Sequence, residues 1–511
     1  MMWLPRILFE SASRFRDRCA IVFGERRLTY GELESEVSKR AAGLQARGIG
    51  PGSRLALMLD NSVEFVVSYY AVLATGASLV TVNSLLAPPE VTHVLTDSAP
   101  VMLISGGGVW DVARVAAADR GIECVEIGAV ESARAYVRPA PVDGSAEAIV
   151  MYTSGTTGKP KGAVLTHNNL VMNAWICSSQ SMFNLTPEDV VLCCLPMSHT
   201  TGQSCLLNAG LISGSTVVIM RQFVAPDVLT VMRREAVTYF LGVPTMYVGL
   251  LALGRVNPES IPKLRMLVSG GAPIPLAVLQ EFEALFGVNI YEGYGLTETA
   301  PTACFNQPHF PRRPGTIGKP IWGVDVEIAA ADVEDRIKLL PAGEVGEVVI
   351  RGHNVFSGYV NQPEATARCM VDGWFRSGDI GVKDEQGYFR IVDRKKDLII
   401  RGGFNVYPRE VEEVLMSHPA VAMAAVVGLP DETFGEEIVA VLRLHESVAS
   451  VTAEEILGWA RERLAKYKYP RHALLVTQMP TNASGKILKR ELAAIVSKEP
   501  LARISTERTV N

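Results

Sequence analysis

Residues 152–162 read Tyr-Thr-Ser-Gly-Thr-Thr-Gly-Lys-Pro-Lys-Gly, directly after the apolar run Ala148–Met151. Glycine lets successive amide N–H groups converge on one concave space. Hydroxyls add donors at its rim, and Lys159 and Lys161 add charge. A loop of Thr153, Ser154, Gly155, Thr156, Thr157, Gly158, Lys159 and Lys161 is suited to a polyanion, most directly the phosphates of a nucleotide. It is not a Walker loop: the glycine spacing is too short, and Pro160 stands where Ser or Thr would ligate the metal. The same residue types also build ordinary surface turns, so the segment alone leaves both readings open.

Working outward, 511 residues are too many for one core and predict roughly two to four domains or subdomains. With 48% hydrophobic and 20% charged residues, the composition is that of an ordinary globular chain. A net charge of −5 gives no support for nucleic acid or an anionic membrane as partner. Eight cysteines form no C-x-x-C pair and sit mostly in apolar surroundings, as reduced core residues of a cytoplasmic protein do. The N-terminus acquires charge too early for a signal peptide. The uncharged segments Phe65–Pro89 and Val190–Met220 are broken by glycine and proline. They read as buried elements, and no stable membrane insertion is expected.

Thr29-x-x-Glu32 is a capping box ahead of the helical stripe Leu33, Val37, Ala41, Leu44. Asn61-x-x-Glu64 is expected to cap a second helix over Val63–Ala74, between strand-like Leu55–Leu59 and Leu79–Val82. Such alternation predicts α/β architecture with largely parallel sheets, whose ligands bind beyond the strands' carboxyl ends. From Pro314, short β-rich pieces such as Val324–Ala329 and Gly346–Arg351 suggest a small barrel or sandwich. The charged run Asp393–Asp397 then separates two apolar stretches, and α/β alternation resumes. The expected organisation is a large N-terminal unit of stacked α/β sheets with a β-barrel subdomain over 1–393, a hinge at 394–397, and a smaller mobile α+β unit over 398–511.

Several constellations add chemistry. After the short strand expected at Val288–Ile290, Gly293 and Gly295 flank Tyr294, presenting one ring for a purine face. Glu298, beside Thr297, offers a carboxylate for Mg2+. Ser269–Pro273 is small enough to admit a flat ring edge-on. Asp379, on the turn Ser377-Gly-Asp, has two oxygens for the two hydroxyls of a ribose, and Arg394 can add a bond to sugar or phosphate. Lys486 lies on a turn near the chain's end, a mobile point charge suited to charge that develops in a reaction. His199 lacks a second metal ligand at useful spacing, and no G-x-S-x-G elbow is present, so it is a core histidine or a pocket wall. Each alone also has a bland reading as a turn, a packed ring or a solvated charge.

Together and in this order, from Leu28-Thr-Tyr-Gly-Glu-Leu33 to Lys486, the segments closely resemble the adenylate-forming superfamily, in its acyl- and aryl-CoA synthetase branch. The resemblance implies that Thr153–Lys161 covers the phosphates of ATP. It places Gly271, Ala272, Pro273, Glu292, Gly293, Tyr294, Gly295 and Thr297 around the nucleotide, with Tyr294 stacked on adenine. Asp379 and Arg394 become ribose contacts, Glu298 the Mg2+ ligand and Lys396 the hinge. Lys486, working with Glu298 and Thr153, becomes the lysine bridging substrate carboxylate and α-phosphate. The implied activity makes acyl-AMP and pyrophosphate from ATP and an acid, then passes the acyl group to coenzyme A with release of AMP. For that second step the family rotates the small domain and brings Arg401-Gly402-Gly403 to the site.

The resemblance also implies an acyl pocket of His199, Cys177, Ser178, Met182, Gly270, Gly293, Pro301 and Ala303. These residues are largely small or apolar with no evident buried Asp, so the expected acid is hydrophobic: fatty, aryl or polycyclic. Asn405 stands where relatives often carry Arg or Gln near the phosphate. The short interval from Asp379 to Arg394 favours free coenzyme A; the alternative acceptor is a carrier protein's phosphopantetheine. A nucleotide-binding regulator without turnover is a further reading, against which the intact set Thr153, Glu298, Asp379, Lys486 weighs. A homodimer is the one protein assembly to consider.

Overall fold

The computed structural model describes residues 2–132, 136–138, 142–153, 160–256, 264–445, 451–481 and 486–498. Ser154, Gly155, Thr156, Thr157, Gly158 and Lys159 therefore lie outside the described residues. Among the described residues the large lobe contains two stacked α/β sheets. In the first, Glu147–Thr153, Ser78–Thr81, Arg54–Met58, Met102–Ser105 and Glu123–Glu126 run parallel. The second has a parallel centre from Cys19–Phe23 to Ile290–Gly295 and antiparallel strands at both ends. Central strands such as Arg54–Met58, Met102–Ser105 and Tyr239–Gly242 are mostly apolar and buried, as burial on both faces requires.

The candidate phosphate loop joins Glu147–Thr153 to Lys161–Thr166, which pair antiparallel with Thr153 opposite Lys161. A loop between two paired strands, rather than between strand and helix, explains why its spacing is not that of a Walker loop. The expected β-rich region is an antiparallel sheet of Val324–Ala329, Val345–Gly352, Trp374–Lys383, Met370–Val371 and Phe389–Arg394. Beyond it, residues 399–496 supply two apolar clusters of their own around a sheet that includes Val421–Asp431 and Gly435–Leu444. No helix among the described residues is long and apolar enough to cross a membrane.

Thr29 and Glu32 form the reciprocal cap of helix Tyr30–Ala46 that the sequence predicts. The second expected cap is one residue out: Ser62, not Asn61, accepts the Phe65 amide and begins helix Val63–Ala74. Asn61 is engaged elsewhere, in the seam between the two sheets. Its amide donates to the Leu195 carbonyl at 2.9 Å and the Met220 carbonyl at 3.1 Å, and its oxygen accepts from Met197 N at 2.8 Å. Side chain and backbone compete for such bonds, and here the tertiary partners win.

The strand expected at Val288–Ile290 runs instead over Ile290–Gly295, so the Tyr294 motif is part of a strand. Gly295 is required there by close approach, because a Cβ would stand 1.8 Å from the Pro301 carbonyl oxygen.

Replacing Asn61 by Ala strands three buried backbone groups at the seam and should cost about 2–3 kcal/mol, read as an earlier urea transition. An unchanged midpoint would show that the sheets hold together without it.

Candidate active site

Strand register assembles the site. Asp379 and Arg394 face each other across antiparallel strands Trp374–Lys383 and Phe389–Arg394. Arg394 Nε stands 2.8 Å from Asp379 Oδ1, while the Tyr294 hydroxyl donates to Asp379 Oδ2 at 2.6 Å. The Asp379 charge raises the Arg394 pKa against the opposing effect of burial. Burial, then the charge of Asp379, raises the Tyr294 phenol, so it stays a donor. Each carboxylate oxygen keeps a further lone pair, which is what a vicinal diol needs.

Glu298 is buried and accepts from the Tyr359 hydroxyl at 2.8 Å. Burial pushes its carboxyl pKa upward, and the Tyr359 bond partly opposes that. Lys161 lies over the same Tyr359 ring, 5.2 Å from its centre, so the end of the phosphate loop and Glu298 share a corner. Tyr359 was not picked out by the sequence: nothing in its motif separates it from the chain's other tyrosines. Among the described residues no group of three acidic, His or Cys side chains forms a metal site by itself. A buried carboxylate destabilised by burial fits Mg2+ held jointly with nucleotide phosphates, the usual way that ion is bound.

Lys486, carried by the small lobe, reaches this centre. Burial, then the charges of Arg394 and Lys396, outweigh Asp379 and lower its pKa to about 8. Its charge also acts on His199, whose pKa burial lowers to about 4. His199 is therefore a neutral wall near neutral pH. Its loop is held by the Asn61 bonds and by the Thr81 hydroxyl donating to the Ser198 carbonyl at 3.1 Å. Gly202 lies in the first turn of the next helix, Thr201–Asn208, where a Cβ would meet the Pro196 carbonyl oxygen at 2.3 Å.

Gly270 and Gly271 follow strand Met266–Ser269, and Gly270 lies against Gly293, whose carbonyl oxygen would be 3.6 Å from an added Cβ. Glu292 turns away, accepting the Gly315 amide at 2.8 Å, and burial raises its pKa to about 7. Cys177 is fully buried, its thiol between Asn173, Cys205 and Thr302, and Ser178 donates to the Trp175 carbonyl. Met182, Pro301 and Ala303 are buried as well. Side-chain oxygens of Thr200, Ser204, Tyr239 and Ser269 are buried without hydrogen-bond partners among the described residues. Trp175, by contrast, faces outward and lines an open groove of about 590 Å³ with Ile176, Phe310 and Trp322.

Arg401, Gly402 and Gly403 are not brought to this centre. Arg401 is buried in a two-pronged pair with Glu437, at 2.7 and 2.8 Å, under the Phe434 ring. Lys396 is exposed beside the site. Asn405 is exposed in the short strand Phe404–Val406 of the small lobe.

An AMP-binding enzyme family model matches residues 8–360, and an AMP-binding enzyme C-terminal domain model matches 410–486. A feruloyl-CoA synthase of an Amycolatopsis species is 37% identical over 475 residues, covering 93% of this chain and 95% of its own. A long-chain-fatty-acid–CoA ligase of Bacillus subtilis is 33% identical over 532 residues, covering 96% and 94%. The crystal structure of ATP-bound MatB from Rhodopseudomonas palustris superposes with a TM-score of 0.88 at 31% identity, covering 97% of this chain and 98% of that one. The apo form of the same protein superposes with a TM-score of 0.76. The chain belongs to the AMP-binding enzymes, the adenylate-forming superfamily. It is an ATP-dependent, AMP-forming acid–thiol ligase that uses ATP, Mg2+ and coenzyme A. The relatives being CoA ligases, a carrier-protein thiol is not the favoured acceptor.

With Lys486 protonated only below about pH 8, kcat/KM for ATP in the adenylation half-reaction should fall as pH rises through that value. Lys486→Arg should remove this alkaline limb; a profile unchanged by the substitution would separate the limb from Lys486.

Proposed function

We propose that the chain activates a hydrophobic carboxylic acid, with Lys486 bridging its carboxylate and the α-phosphate of ATP. The observation that carries this is the place of Lys486, half-buried beside Arg394, Asp379 and Lys396 and within electrostatic reach of His199. An acid carboxylate and a triphosphate repel each other, and a desolvated ammonium between them offsets that repulsion most where charge builds up. Asp379 and Arg394 orient the ribose, Tyr294 stacks on the base, and Gly270, Gly271, Ala272, Pro273 and Gly293 leave room for ring and acyl group. Thr153–Lys161 closes over the phosphates, and Thr297 lines the nucleotide beside Glu298. When bound, Mg2+ supplies further neutralisation of phosphate charge, and Glu298 is the side chain that would hold it.

His199, neutral, places no second positive charge beside the acid. The acid's body lies against the acyl-pocket residues Met182, Pro301, Ala303, Cys177 and Ser178. Isolated hydroxyls such as Tyr239 offer places for a polar substituent. Attack of the carboxylate oxygen on the α-phosphorus expels pyrophosphate and leaves acyl-AMP. The thiolate of coenzyme A then attacks the acyl carbon and AMP leaves.

The domain reading is a lobe of residues 1–393, a hinge at 394–397 around Lys396, and a lid of 398–511. The separate apolar clusters of residues 399–496 support it. Rotation about the hinge would withdraw Lys486 and present Arg401, Gly402 and Gly403 to coenzyme A. The cytoplasm is the compartment that suits eight free cysteines.

Lys486→Ala should slow adenylation roughly 100- to 1000-fold while sparing thioester formation from supplied acyl-AMP. Lys396→Pro should do the reverse, and a parallel loss of both half-reactions in either variant would refute the division of labour. For substrate class, AMP release with coenzyme A present is measured across aryl, long-chain, polycyclic and amino acids. Turnover confined to small polar or amino acids would exclude a hydrophobic pocket.

A further inference from the structure

Two residues ahead of the charged linker and one helix behind it are joined by direct bonds. Asp393, next to last in strand Phe389–Arg394, is 6% exposed and uses both carboxylate oxygens. Oδ1 accepts the Arg394 amide at 2.7 Å. Oδ2 accepts the Arg409 amide at 2.9 Å, in the first turn of helix Pro408–Met416 on the far side of the linker. The Arg409 guanidinium reinforces the contact by donating to the Ile391 carbonyl at 2.6 Å.

That helix is in turn tied to the segment carrying Lys486. Glu412, one turn on, stands 2.7 Å from Lys489 Nζ. Lys489 begins helix Lys489–Val496, and the residues just before it are fixed by the Leu488 amide on the Pro480 carbonyl and by the bridge of Thr481 with Ile487. Burial would depress the Lys489 pKa, but the charges of Glu412 and Asp393 more than offset it. An unbroken set of short bonds therefore runs from Asp393, through the helix start and the Glu412–Lys489 pair, to the residue next to Lys486.

We infer that Asp393 is a positioning residue for the first half-reaction: by accepting the Arg409 amide it docks the small lobe in the orientation that sets Lys486 in the site. The inference rests on the reading of Lys486 as the adenylation lysine and of 394–397 as the hinge. Asp393 stays with the large lobe when the lid turns, whereas Arg409, Glu412 and Lys489 travel with it. The bond thus exists in one orientation only, and it biases the population by its own differential strength. A carboxylate–amide bond of this charge-assisted kind is among the stronger single contacts available.

The bland alternative is that Asp393 only helps the chain fold. Separate half-reactions distinguish the two. In Asp393→Ala, acid-dependent ATP–pyrophosphate exchange should fall about tenfold, while coenzyme A thioester formation from supplied acyl-AMP stays within about twofold of the parent or rises. Asp393→Asn keeps one acceptor oxygen and should fall between, and it carries the test if the alanine variant does not fold. Glu454→Ala, exposed on helix Ala453–Arg463 of the small lobe, should change neither step. Equal losses in both half-reactions, tracking a lower melting temperature, would reduce Asp393 to a folding role and overturn the inference, as would exchange at the parent rate. A parent enzyme with no exchange for any acid would instead overturn the adenylation reading beneath it.

Discussion

Two anions must meet in this protein, and everything in its centre follows from that. Near a protein surface a pair of unit charges about 4 Å apart interacts by roughly 4 kcal/mol, and a triphosphate brings several such charges. Cationic side chains near the centre come from three separate parts of the chain: Lys161 at the start of the second strand of its hairpin, Arg394 in the β-rich sheet and Lys486 in the C-terminal part. Burial lowers the Lys486 pKa to about 8, because desolvation disfavours the charged ammonium.

Desolvation sets the character of the other groups as well. Glu298 and Glu292 both have carboxyls raised by burial, yet they differ in role because their partners differ. Glu292 is satisfied internally by the Gly315 amide, whereas Glu298 has a tyrosine hydroxyl and lies beside Lys161 through that tyrosine. Arg401 shows the opposite case. Paired at short range with Glu437 and covered by Phe434, it is held inside its own lobe in this arrangement. Two lobes with separate apolar clusters, joined by polar and charged contacts, are suited to exchange one set of contacts for another.

Much of the fold is legible in local pattern. The Thr29–Glu32 box, the α/β alternation and the change of texture after Pro314 all correspond to elements of the structure, because period and capping are properties of neighbouring residues. Asn61 shows where that reasoning stops. Its spacing to Glu64 satisfies a cap, but the carbonyls of Leu195 and Met220, more than a hundred residues away, have the stronger claim on its amide. The strand over Ile290–Gly295 is another case, since neighbouring strands on both sides extend a segment whose glycines read as a turn.

The chemistry of the motifs, a glycine-rich loop, an aromatic between glycines, a lone Asp and a late lysine, points to a nucleotide, and their order carries the family resemblance that implies an acid as second substrate. Those are choices of functional group, and functional groups are written in the residues. Tyr359 beneath Lys161, the closure of Cys177 against Cys205, and the link from Asp393 through Arg409 toward Lys486 were decided by tertiary structure alone. Each depends on which distant segments pack together, and sheet order and lobe placement, not sequence spacing, set those distances.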